Sequence, residues 1–353
     1  MTIKLGKNCL ISNNSRAMII AEISANHCGS KKNFLNHIIE AKKNGADLVK
    51  IQTYEPQDMV VNKKYKIKKG LWKNSNLWKL YEKAQTPFEW HKDAFKVAKK
   101  HNIELFSTPF SIRAFQFLKK YNPNLYKISS FEITDLNLIN EIAKTKKPII
   151  ISTGLSTINE IKSALNIIKK HHDKIIVLYC VSGYPTPLDE IDFRKIAELK
   201  KKTNVKFIGF SDHTQGIDAS IGSLNYDTKL IERHFTLSKR SKSPDVKFSI
   251  GPNDLRNLKR IIISLHKIKN NKKKNNLNSE KSSLIFRRSI YAIKDIKKHE
   301  VLNRNNIACF RPLDGLCASN YLKILGKKSK LDIKKNNPLK KKHIKFYDKF
   351  FIR

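Results

Sequence analysis

No unbroken apolar run in this chain approaches the roughly 20 residues that cross a bilayer, so a membrane span is not expected. The opening residues, Met1-Thr-Ile-Lys-Leu-Gly-Lys-Asn-Cys9, lack the apolar centre and small-residue cleavage site of a secretory leader. A cytoplasmic protein is therefore expected. Cysteine is sparse: Cys9, Cys28, Cys180, Cys309 and Cys317 are scattered and never spaced as Cys-x-x-Cys. That argues against both a disulfide framework and a structural zinc site. No glycine-rich phosphate turn follows the first apolar run, which disfavours an open dinucleotide-binding sheet. Acidic residues are few, 30 against 71 Lys and Arg, giving a formal net charge of +41. A nucleic-acid binder would gather that charge into a basic patch with interleaved aromatics. Here the lysines are spread throughout, alongside many asparagines and isoleucines, as codon bias in an AT-rich genome produces. Nucleic acid is not the expected partner, and a basic nucleic-acid-binding protein without catalysis remains only an alternative. The charge can still steer anionic substrates.

What is present is a repeated alternation. Apolar runs at 17–22, 46–53, 103–109, 125–130, 148–154, 174–180, 207–212 and 230–235 read as buried parallel strands. Between them lie stretches with helical spacing, such as 157–171 with Ile158, Ile161, Leu165 and Ile168. Ser30 is placed to cap a helix that Asn44-Gly45 stops. Residues 3–5 and 9–11 suit a short hairpin closing the bottom of the domain. The count and length of these units fit a (β/α)8 TIM barrel over residues 1–270, an α/β fold of about 250 residues. Residues 54–86 form a long excursion with Trp72, Trp78 and Tyr81 and little regular pattern; long loops in compact domains are usually functional. A polar linker is expected over 271–284 and a small separate domain over 285–353.

In a barrel, every strand's carboxyl end feeds one cleft. Those ends carry Glu22, Lys50, Gln52, Thr108, Lys127, Ser130, Ser152, Ser211, His213 and His234, with Glu132 just past one of them. His213 and His234 follow consecutive strands, a placement that favours a divalent metal pair over two hydrogen-bonded core histidines. Lys50 and Lys127 end buried strands, where a cation is costly without an anion. They either hold a ligand with phosphate and carboxylate groups, helped by the nearby hydroxyls, or form structural ion pairs with Glu22 and Glu132. The sequence leaves that choice open. A metal polarising a carbonyl, an anionic phosphate substrate and a carboxylate base together describe condensation of an enol phosphate with an aldehyde.

The segments Ile20-Ala-Glu22-Ile-Ser-Ala-Asn26-His27, Val49-Lys50-Ile-Gln52-Thr53-Tyr54, Ser107-Thr-Pro-Phe110, Tyr126-Lys127-Ile-Ser-Ser130-Phe-Glu132, Ser152-Thr-Gly154, Ser211-Asp-His213-Thr and Glu232-Arg-His234-Phe resemble the sialic acid synthase family. Arg311-Pro-Leu-Asp314-Gly315 and Gly326-Lys-Lys resemble its C-terminal antifreeze-like (SAF) domain, a β-clip. Residues 80–91, 129–135 and 180–185 look most like the branch that makes pseudaminic acid. The resemblance implies condensation of phosphoenolpyruvate with an open-chain 2,4-diacetamido-2,4,6-trideoxy-altrose. Sister acceptors leading to N-acetylneuraminic or legionaminic acid are the alternative. It further implies that His213 and His234 bind a divalent cation, Mn or else Mg or Co. Lys50, Thr108, Lys127, Ser130, Ser152 and Ser211 would hold phosphoenolpyruvate, and Glu22 and Glu132 would handle the water that adds to it. Tyr184 and Asp245 would face the sugar, and Arg311 would reach a partner's cleft in a domain-swapped homodimer. Arg233 stands where the family suggests lysine, Leu313 and His299 where it suggests glycine-like turn residues, and Gly183 where a bulkier side chain is expected. Ser182 replaces the asparagine of the N-acetylneuraminate enzymes, in line with the pseudaminic branch.

Overall fold

The computed structural model describes residues 2–271 and 278–344. The chain divides into two compact units, 1–270 and 271–353. The first opens with an antiparallel hairpin, β1 (Ile3–Gly6) and β2 (Cys9–Ile11). Eight parallel strands then follow: β3 (Met18–Glu22), β4 (Leu48–Thr53), β5 (Glu104–Pro109), β6 (Tyr126–Ile128), β7 (Ile149–Ser152), β8 (Ile175–Cys180), β9 (Phe207–Asp212) and β10 (Leu230–His234). They run in sequence order, and β10 closes onto β3 to complete a barrel, as the alternation predicts.

The connecting helices form because their apolar residues recur at helical spacing and their ends are capped. In α1 (Lys31–Lys43) the Ser30 side chain accepts from the Asn33 amide, and Phe34, Ile38 and Ala41 face the strands. The excursion after β4 departs from expectation, for it holds two helices, α2 (Pro56–Met59) and α3 (Leu77–Ala84). Asn76 caps α3 by accepting from the Lys79 amide. Leu77, Leu80, Tyr81 and Ala84 are spaced as one helical face, a signal that was present in the sequence. The ring continues with α4 (Trp90–Lys100), α5 (Ile112–Lys119), α6 (Leu136–Ala143), α7 (Ile158–Lys169), α8 (Arg194–Thr203), α9 (Asp218–Ser223) and α10 (Pro252–Lys269).

Strand side chains alternate, so each strand serves two cores. Outward residues such as Ile19, Val49, Leu105 and Ile231 pack under the helices. Inward residues Ile20, Leu48, Phe106, Ile150, Ile176, Phe207 and Leu230 cluster with Ile3, Leu5 and Ile11 of the hairpin, which therefore fills the amino end of the barrel. Gly209 is required by this packing. A Cβ there would meet Leu178 Cδ2 at 2.4 Å and the Leu230 carbonyl oxygen at 2.5 Å.

The second unit pairs β11 (Ser289–Ala292) with β12 (Ile307–Phe310) around Ile290, Ile296, Leu302, Ile307, Leu316, Ile324, Ile333 and Leu339. Of the expected linker over 271–284, residues 272–277 lie outside the described residues, and Asn278–Lys281 and Ser282–Phe286 are helical turns. Residues 345–353 also lie outside the described residues. Among the described residues, no helix is long and apolar enough to cross a membrane.

One outward pair on the barrel is charged. Arg233 and Asp212, neighbours in register on β10 and β9, are fully buried with Nη1 and Oδ2 2.5 Å apart. Arg233 Nη2 also donates to the carbonyls of Thr214 and Gly216 at 2.8 and 2.9 Å, and Asp212 Oδ1 accepts from the Thr214 amide and hydroxyl. Removing one member leaves a buried, uncompensated charge. Arg233→Met should therefore lower folding stability by about 3–5 kcal/mol, read from chemical denaturation. A loss under about 1 kcal/mol, the size of an exposed pair, would show that the pair is not structurally important.

Candidate active site

The site follows from the same alternation. Two residues beyond the inward apolar layer, still facing inward, come Glu22, Lys50, Thr108, Ser152, Cys180 and Glu232. Lys127 lies in register with Ile150, and Ser211 with Glu232. A polar tier thus rests directly on the apolar stopper.

Its centre is a carboxylate shared by two cations. Glu232 Oε1 lies 2.9 Å from Lys50 Nζ and 3.0 Å from Lys127 Nζ, and accepts from Ser211 Oγ at 3.0 Å. Lys50 Nζ also lies 2.7 Å from Glu22 Oε2, while Glu22 Oε1 accepts from the Ser24 amide at 2.8 Å. Of the ion pairs expected as the alternative to ligand binding, Lys50–Glu22 is present. Lys127, however, pairs with Glu232 rather than Glu132. Glu232 was not singled out from the sequence. Its partners lie 182 and 105 residues away, so no local pattern exposes the network. A signal did exist, since Glu232 is two residues before His234 and shares its strand face.

Burial pushes the Glu232 carboxyl up, but the Lys127 and Lys50 ammoniums outweigh it and hold the group well below the usual carboxylate range. Burial, together with the neighbouring Lys127, brings Lys50 down to about 7 despite Glu232. Glu132, just past β6, moves the other way: burial raises its carboxyl to about 7 against the pull of Lys127. Its carboxylate is bonded by the Ser129 hydroxyl.

Above this tier opens a cavity of about 840 Å³. Of the residues expected at the site, Lys50, Lys127, Ser130, Glu132, Ser152, Tyr184, Ser211, His213, His234 and Asp245 line it, and Glu232 joins them. Glu22 and Thr108 are buried at strand ends but are not among the lining residues. The hydroxyls of Thr108 and Ser152 are buried without a hydrogen-bond partner among the described residues, so both retain unused capacity. Ser130 Oγ accepts from the Gly154 amide at 3.0 Å. Arg311 belongs to the second unit, where it is exposed.

The two imidazoles stand together, with ring centroids 5.5 Å apart. His213 Nδ1 lies 3.1 Å from the Val181 carbonyl oxygen, which leaves Nε2 as the available nitrogen. A carbonyl on the second ring nitrogen is the usual support of a metal-binding histidine. His234 Nδ1 is buried without a hydrogen-bond partner among the described residues, 3.7 Å from Asp245 Oδ2. Asp245 is itself fixed by the Ala25 amide at 3.1 Å. Among the described residues no group of three or more His, Cys, Asp or Glu is arranged to hold a metal. The donor set fits a divalent cation with two protein nitrogens, its other positions left to water or ligand. Tyr184 packs 4.5 Å from His213, and Phe248 4.8 Å from His234.

A model of the NeuB family matches residues 37–274, and one of the SAF domain matches 287–345. Pseudaminic acid synthase of Campylobacter jejuni subsp. jejuni serotype O:23/36 is 40% identical over 332 residues, 92% of this chain and 96% of that protein. Pseudaminic acid synthase of Helicobacter pylori is 39% identical over 91% of this chain and 96% of its own length. N,N'-diacetyllegionaminic acid synthase of C. jejuni serotype O:2 is 35% identical, covering 88% and 95%. Among solved structures, an N-acetylneuraminic acid synthetase from Leptospira borgpetersenii, in complex with citrate, superposes with a TM-score of 0.71 at 28% identity. That match covers 80% of this chain and 95% of the other.

The two groups that titrate near neutrality act in the same direction. Below about pH 7 Lys50 is charged and Glu132 neutral; above it Lys50 is neutral and Glu132 charged. Sulfate, whose own charge is constant in this range, should bind more than about tenfold more weakly at pH 8.5 than at pH 6 by calorimetry. Glu132→Gln should reduce that dependence to the part owed to Lys50. An affinity independent of pH in the unaltered protein would contradict the charge assignment.

Proposed function

The chain belongs to the NeuB family, and on that premise we propose that it is a transferase condensing phosphoenolpyruvate with an amino-sugar aldehyde. The acceptor is the open-chain form of 2,4-diacetamido-2,4,6-trideoxy-β-L-altropyranose, and the products are pseudaminic acid and phosphate. The identity with curated pseudaminic acid synthases over more than nine-tenths of the chain supports this acceptor over its sisters. The observation that carries the chemistry is the tier of Lys50, Lys127 and Glu232 beneath His213 and His234 in one cavity.

Lys50 and Lys127 meet the phosphate and carboxylate of phosphoenolpyruvate, and the free hydroxyls of Thr108 and Ser152 donate to the same anion. Ser130, two residues past β6, and Ser211 on β9 complete the cradle. His213 and His234 would hold a divalent cation, Mn, Mg or Co, which when bound supplies Lewis-acid polarisation of the acceptor's aldehyde oxygen. The enol carbon forms the new bond to the aldehyde carbon, water adds to the central carbon, and the carbon–oxygen bond to phosphate breaks. Glu132, poised near neutrality, takes the proton of that water, while Glu22 fixes Lys50. Tyr184 and Asp245 face the sugar. Arg311, exposed and without an ion-pair partner among the described residues, would pair with the acceptor in another copy's cleft, which makes a domain-swapped homodimer part of this reading.

Phosphate release from phosphoenolpyruvate with Mn present is expected with the diacetamido altrose and not with N-acetylmannosamine. Release with the second alone would move the acceptor to the N-acetylneuraminate branch. Lys127→Ala should raise KM for phosphoenolpyruvate by about two orders of magnitude, as expected for a lost buried charge contact; an unaltered KM would refute its role. His234→Ala should abolish Mn binding, read by electron paramagnetic resonance, with the fold retained by circular dichroism. Intact Mn binding would remove the metal assignment.

A further inference from the structure

The excursion between β4 and α4 contributes Tyr65, Ile67, Leu71, Trp72, Leu80 and Tyr81 to the cavity. This wall is largely apolar, and one member carries a polar group with nothing to do. Trp72 Nε1 is buried and has no hydrogen-bond acceptor among the described residues. An indole N–H can only donate, and a buried donor without a partner is rare enough in native proteins to need a reason. Trp72 is held in place by the turn it belongs to, where the Ser75 amide donates to the Trp72 carbonyl at 3.0 Å and the Lys73 amide to that of Gly70 at 3.1 Å. Its ring leans on Tyr184, centroids 5.8 Å apart, and Tyr184 in turn leans on His213 at 4.5 Å. The indole is therefore one aromatic ring removed from the histidine pair.

That spacing can be laid along the acceptor. An acceptor whose aldehyde carbon meets the histidines and whose chain runs along Tyr184 would bring the acetamido group on the adjacent carbon, C2, beside that ring and the group on C4, two carbons further out, towards Trp72. An acetamido group suits the wall in both its parts. Its carbonyl oxygen is a strong neutral acceptor for an N–H donor, and its methyl suits apolar neighbours such as Ile67 and Leu71. We propose that Trp72 is a specificity-determining residue that recognises the C4 acetamido group of the acceptor, its indole N–H donating to the amide carbonyl oxygen. The inference rests on the diacetamido acceptor proposed above.

The test pairs a change in the protein with a change in the sugar. Trp72→Phe keeps an aromatic ring against Tyr184 and removes the N–H together with part of the indole's bulk, which the change of sugar controls for. It should raise KM for the diacetamido altrose about tenfold, the loss typical of one buried hydrogen bond, with kcat and KM for phosphoenolpyruvate little changed. With an acceptor carrying hydrogen in place of the 4-acetamido group, the unaltered and Trp72→Phe proteins should show the same KM. An unchanged KM for the diacetamido sugar overturns the inference. So does an equal rise with both acceptors, which would mark Trp72 as a general support of the wall. If the unaltered enzyme itself releases no phosphate with the diacetamido sugar, the proposed acceptor fails and this inference falls with it. That outcome is read before any variant is compared.

Discussion

Two ammonium groups bonded to the same carboxylate oxygen set the terms for the rest of this barrel. Lys50 and Lys127 are buried together against one carboxylate oxygen, close enough to repel one another strongly in a low-dielectric interior. Glu232 offsets that repulsion by bonding both ammoniums, and Glu22 reaches Lys50 from a fourth strand, β3. With all four ionised the cluster is neutral, so it is stable when empty of ligand. It is also incompletely satisfied, because the nearby hydroxyls of Thr108 and Ser152 have no partner among the described residues. A small dianion would complete this arrangement rather than disrupt it.

The outward side of the same strands serves the same site by other means. Asp212 and Arg233 each precede a cavity histidine by one residue, and strand alternation sends their side chains away from it. Their ion pair, with the bonds from Arg233 to Thr214 and Gly216, fixes the backbone on which His213 and His234 stand. The fully buried guanidinium spans an acid and two carbonyls at once, which the single ammonium of a lysine would not match in the same way.

The barrel was legible because its strands are buried on both faces and read as continuous apolar runs, such as Ile149-Ile-Ile and Ile175-Ile-Val-Leu. His213, His234, Lys50 and Lys127 were legible because each interrupts such a run at its carboxyl end. Glu232 interrupts one too, but sits between Ile231 and Arg233, where a local reading assigns it no partner. Which acid answers which lysine is a property of barrel closure, which brings β4, β6 and β10 around one axis. For Lys127 that acid is Glu232 and not the nearer-in-sequence Glu132. The helix α3 was missed for a different reason: it lies in a segment of lysines and aromatics whose short periodic stretch was outweighed by its irregular surroundings.

The hairpin of β1 and β2 fills the amino end of the barrel, and the lysine tier lies immediately above it. Such a vessel is loaded and emptied from its rim. Lys50 and Lys127 are buried while Trp72 and Tyr184 are half-buried, so a molecule resting on the lysines would lie deeper than one held by the two aromatic rings, and the shallower one would stand across its way out.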